Sequence, residues 1–78
     1  MFIALTEFET QTIISINITK IAYYKQIRVR SVPDPHADGY VHLMKMAIYF
    51  EGNPVPVVVE QDKHTLDSLI MDALSSDL

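Results

Sequence analysis

Between Tyr40 and Phe50 the chain writes a long strand in which both alternating sets are apolar. Met44, Met46, Ile48 and Phe50 fall on one side, and Val41, Leu43, Ala47 and Tyr49 on the other. An antiparallel strand with one face in water should alternate apolar with polar. This one must therefore be covered twice. Val55 to Val59 repeats the pattern, apolar on both faces apart from Pro56, whose missing amide confines it to an outward or edge position. Cover is scarce elsewhere in the chain. Leu66, Leu69, Ile70, Ala73 and Leu74 stand at i, i+3, i+4, i+7 and i+8, one stripe of an amphipathic helix over roughly 65–75, with Asp67, Ser68 and Asp72 opposite. Asp62 or Thr65 can accept the free amides of its first turn. A single three-turn helix covers part of one face. The other face, with Val41, Leu43, Tyr49 and Val58, then needs a sheet rolled onto itself or a second copy of the chain. Leaving such side chains in water would forgo ~1.5 to 3 kcal/mol for each large one, a heavy loss for a small domain. A homodimer, joined by sheets or edge strands across a two-fold axis, is the expectation.

The remaining strands read as runs of β-branched and aromatic residues: Phe2 to Phe8, Thr12 to Ile16 and Ile21 to Arg30. Glu9-Thr10-Gln11 makes a hairpin without glycine, and Glu51-Gly52-Asn53-Pro54 one with it. Asn17, in the stretch SINITKIAYYK, can bond its own backbone two residues on, so the stretch turns a corner before the third strand begins. Strict alternation along that strand points Tyr23 inward and Tyr24 outward. Ser31 to Gly39 holds two prolines and an Asp-Gly pair, and reads as a protruding loop. The predicted fold is mainly β (α+β): a single domain over 1–78, an antiparallel five-stranded curved meander sheet or partly open barrel, with one C-terminal α-helix.

A chain of 78 residues buries only about 60% of the surface its unfolded form exposes. Without cysteine it has no disulfide, no thiolate zinc site and no thiol nucleophile, which leaves oligomerisation as the remedy for a thin margin. Met1 to Leu5 is too short and wrongly flanked for a signal peptide, and no stretch approaches the ~20 apolar residues of a membrane helix. The expectation is a cytoplasmic protein of bacterial or phage type, without membrane insertion, in which Asn17-Ile18-Thr19 never meets the glycosylating machinery. A net charge of −4 opposes affinity for duplex nucleic acid. The charge is polarised, with Lys20, Lys25, Arg28 and Arg30 close together and acids dominating the last part of the chain.

Candidate chemistry is thin. His36, Asp38 and His42, with Asp34, are the only grouping of ligand-type residues, and their spacing on a Pro-rich loop matches no metal motif, so no metal is expected. With two glycines there is no phosphate loop, and no nucleophile elbow exists. No catalytic residues and no cofactor are assigned, and the chain is read as non-enzymatic. The four methionines are read as gap-filling core. Two binding readings follow. Val41, Leu43, Tyr49 and Val58 would carry protein contacts in an accessory or assembly module whose further partner is unknown. Tyr24, Arg28 and Arg30 would be the alternative, a small-ligand or single-stranded nucleic-acid surface.

Met1-x-Ile3-x-Leu5-Thr6, Ile14-x-Ile16-Asn17, Ile21, a glycine turn, a valine strand and a terminal helix opened by Thr65 together resemble the small flagellar and swarming motility protein family (FlbD-like). The likeness covers both ends of the chain and lacks a counterpart for SVPDPHADG. It implies a sheet followed by a helix and a role in motility; small phage proteins share such a skeleton.

Overall fold

The computed structural model describes residues 1–76. Strands β1 (Phe2–Thr6) and β2 (Ile13–Asn17) pair antiparallel, with Ile3 opposite Ile16 and Leu5 opposite Ile14. That register sends Ile3, Leu5 and Ile16 into the core and leaves Phe2 and Ile13 outside. No glycine stands in the connection, so Gln11 takes the left-handed conformation itself, at φ 58°. Its side-chain amide donates to the Phe8 carbonyl at 2.7 Å, which helps hold the turn. At the far end of β2, Asn17 does what its position predicts: Oδ1 accepts from the Thr19 amide at 3.1 Å and from the Thr19 hydroxyl at 2.8 Å. A 3-10 helix, Ile18–Lys20, follows and buries Ile18.

Strands β3 (Ile21–Pro33), β4 (Tyr40–Phe50) and β5 (Asn53–Val59) form a second antiparallel sheet in that order. The expected single five-stranded meander is thus replaced by a two-stranded and a three-stranded sheet, and no closed barrel forms. The reason lies in the 3-10 helix, which turns the chain between β2 and β3 so that these two do not pair. The sheets meet instead where β1 ends beside the end of β5. Glu7 bridges Val59, the Glu60 amide donates to the Thr6 carbonyl, and the Phe8 amide donates to the Val58 carbonyl, the last two at 2.9 Å. Among the described residues β2 and β3 remain as free edges.

Two irregularities decide the faces of β3. The register with β4 shifts between Ile21 and Tyr23 and again between Arg28 and Arg30. Each adds a residue and reverses the inward set. Ile21 and Tyr24 therefore pack on the core while Tyr23 is 52% exposed, the opposite of the alternation predicted for the two tyrosines. The strand also continues through Ser31, Val32 and Pro33, leaving a loop of residues 34–39 shorter than the one predicted. Proline is tolerated there because it stands at the end of an edge strand.

Helix α1 (Lys63–Ser75) is capped by Asp62, whose Oδ1 accepts from the Thr65 amide at 2.8 Å. Leu66 is fully buried, and Leu69, Ile70 and Ala73 pack beside it, whereas Leu74 is about half-exposed beyond the sheet. The sequence predicts fraying over Ser76, Asp77 and Leu78, of which Asp77 and Leu78 lie outside the described residues. Leu5, Ile48, Val59 and Leu66, from β1, β4, β5 and α1, are the fully buried centre of the core.

The molecule is long for its size, 51 × 25 × 21 Å, with a radius of gyration of 14.7 Å where a compact chain of this length would have about 11.5 Å. The excess is the distal part of the β3–β4 hairpin. Past Met46, β5 no longer accompanies β4, and the ribbon runs on as an arm.

Truncating the residue that touches both sheets should be severe. Leu66→Ala is expected to cost about 2–5 kcal/mol and to lower the thermal midpoint by about 10 °C or more, read by circular dichroism. Leu74→Ala, on the same stripe but half-exposed, should change it by a small fraction of that.

Candidate functional site

The outer face of the three-stranded sheet, opposite the helix, brings together Val41, Leu43, Tyr49 and Val58, as the alternation of β4 implies. Part of the cover there comes from the chain itself. Tyr23 and Tyr49, partners in the ladder, stack with centroids 4.6 Å apart and planes 14° from parallel. Lys25 Nζ lies 5.5 Å above the Tyr49 ring. Phe8, carried over from β1, lies 5.5 Å from Lys45 Nζ, which also pairs with Glu60 at 3.3 Å. Under these groups Ala47 is fully buried, and Leu43, Tyr49 and Val58 are half-buried. Val41 stays 48% exposed, because the arm carries it past all of this cover.

Tyr24, Arg28 and Arg30 do not form one surface. Tyr24 lies half-buried on the helix side, and its hydroxyl donates to Asp67. Arg28 stands opposite Met44 on that same side, and the second bulge sends Arg30, opposite Leu43, to the other. The acidic groups of α1 respond to their partners. The Lys63 ammonium, bonded to Asp67 at 2.7 Å, and then the Tyr24 hydroxyl hold the Asp67 carboxyl below the usual carboxylate range. The same contact with Asp67, together with burial, pushes the Tyr24 phenol up to about 12. The Thr65 amide holds the Asp62 carboxyl down likewise, so both carboxylates are ionised acceptors and not proton donors at neutral pH.

The grouping of Asp34, His36, Asp38 and His42 is dispersed by local bonds. Asp34 accepts from the His36 amide at 2.9 Å, and His42 Nδ1 shares a 2.6 Å hydrogen bond with Ser31 across the ribbon. Among the described residues no three His, Asp or Glu side chains gather as a metal site would require.

A cleft of about 530 Å³ opens on the helix side where β5 stops. Met44 and Met46 are thioether groups in its lining, beside Tyr24 and Gln26, and Glu60 to Lys63 form the opposite wall. Gln61 there is already committed, accepting from the Thr6 amide at 3.0 Å. The cleft can hold an apolar side chain with a polar rim. Nothing in the local alternation announced it, because it exists only through the early end of β5.

No family model, curated protein or solved structure matches the chain. No helix among the described residues is long and apolar enough to cross a membrane.

The Tyr24–Asp67 bond links β3 to α1 and should show in the pH profile of stability. A carboxyl held low in the folded state stabilises above the unfolded carboxylate range and loses that contribution as pH falls through its folded value. A phenol raised from 10.0 to about 12 stabilises below pH 10 and loses its contribution as pH climbs between the two values. Asp67→Asn should flatten the acid limb, and Tyr24→Phe should remove the alkaline loss while costing about 1 kcal/mol at neutral pH, both read from urea midpoints.

Proposed function

We propose that the protein is a non-enzymatic accessory or assembly module that works by binding protein, and that it does so as a homodimer. The observation that supports this is the arm. A two-stranded ribbon is marginal in water by itself, yet the outer face of this one carries Val32 and Val41, each 48% exposed. The outer sheet face continues onto the arm through Leu43 and Val41. A second copy laid along that face would cover both, and the two-fold axis would let each arm reach the other body. The resemblance of both ends of the sequence to the small flagellar and swarming motility proteins suggests motility as the setting proposed for it. A cytoplasmic location is part of the same reading.

Size-exclusion chromatography with light scattering should give twice the 8.9 kDa of one chain at micromolar concentration. Val41→Asp should shift the mass toward one chain while leaving the circular dichroism spectrum unchanged, since the residue touches no buried core. A wild-type monomer across that range removes the dimer.

A further inference from the structure

Five of the six lysines and arginines fall into two groups, and the sixth, Lys20, lies in the 3-10 helix. Lys45 and Lys63 lie off β3, and each has a carboxylate, Glu60 at 3.3 Å and Asp67 at 2.7 Å. Lys25, Arg28 and Arg30 lie on β3, all exposed, and among the described residues none has a carboxylate within 4.0 Å. They occupy the strand whose outer edge, Ile21 to Pro33, is paired by no other strand among the described residues. A free edge offers a row of amides and carbonyls to an extended peptide, and flanking side chains decide which peptide is accepted.

The bulge between Arg28 and Arg30 sharpens that choice. It puts Arg28 on the helix side of the sheet and leaves Lys25 and Arg30 on the other, so cations flank the edge above and below. Neighbouring residues of a strand also point to opposite faces, so adjacent acids on an incoming strand would reach both. A second β3 is a poor occupant, because a two-fold pairing sets three cations against three within about 20 Å of strand.

We propose that the open edge of β3 from Lys25 to Pro33 is a docking strand that accepts an extended segment of another protein carrying adjacent acidic residues. This rests on the reading of the chain as a protein-binding module and names the chemistry of its partner. Arg28 and Arg30 fix the register through charge, and the β3 backbone supplies the ladder. The cleft beside Met44 lies on the Arg28 side of the same ribbon, where an apolar residue of the incoming segment can enter.

The test uses the full chain and a fluorescein-labelled peptide about as long as the Lys25–Pro33 stretch, built from valine and threonine with a central Glu-Asp pair. Anisotropy should report saturable binding at about 50 mM salt that weakens at about 200 mM, and amides of β3 should exchange more slowly with peptide present. The same peptide with lysines for the acids should stay free. Arg28→Glu with Arg30→Glu should weaken binding by about tenfold or more, and Arg28→Gln with Arg30→Gln, the milder pair, by a smaller factor in the same direction. An acidic peptide that stays free at low salt overturns the inference. So does equal binding of both peptides, or tighter binding of a labelled single-stranded oligonucleotide. Light scattering on the same samples separates the two ideas: a dimer that ignores the peptide removes the docking strand alone, and a monomer that binds it removes the dimer alone.

Discussion

Everything in this fold depends on the joint at Val59. That residue pairs with Met46 inside the three-stranded sheet and bridges Glu7 of the two-stranded one, so the last step of β5 belongs to both ladders. A two-stranded sheet is not stable alone in water, and a three-stranded one needs its hydrophobic face covered. The joint brings their inner faces to a common line, and Leu66 closes that line from the helix side. Gln61 completes it: placed between β5 and α1, it accepts from the Thr6 amide and donates to the Thr6 hydroxyl at 3.4 Å.

The exposed features follow from the same joint. Because the chain leaves the sheet at Glu60 to enter the helix, β4 has no neighbour on that side beyond Met46, and β3 and β4 continue alone. The cleft is the step left where the third strand stops. The arm is what lies past the step. The uncovered apolar surface is therefore less the whole second face of the sheet than its distal end, since Phe8 and the stacked Tyr23 and Tyr49 shield the proximal half. A partner needs to supply cover mainly where the body stops supplying it.

This division also explains what was legible in the residues. The faces of β4 follow from simple alternation, because its run from Met44 to Ile48 is regular: Met46 and Ile48 inside, Leu43 and Tyr49 outside. The helical stripe and the Asn17 corner are equally local. The faces of β3 are not, since a bulge inserts one residue without changing composition, and two of them reverse Tyr23 and Tyr24 and then part Arg28 from Arg30. The joining of β1 to β5 and the bond from Tyr24 to Asp67 span most of the chain, and period-2 or period-3.6 patterns carry no record of such pairings. A five-stranded meander is the most economical arrangement of consecutive strands. The 3-10 helix at Ile18, three residues long, is enough to replace it.

A long unpaired edge on a small protein invites self-association into sheets, and this chain counters that with devices proteins commonly use on edges: two bulges and a set of cations. Those devices are not neutral toward every partner. Repulsion among Lys25, Arg28 and Arg30 of two copies turns into attraction for a strand that brings acids, and the backbone ladder is the same in both cases. The bulges bend the edge without removing its amides. Protection against its own kind and the proposed preference for an acidic segment are therefore one physical property of β3, and the proposed dimer, if it packs face to face on Leu43, Tyr49 and Val41, would leave that edge free to express it.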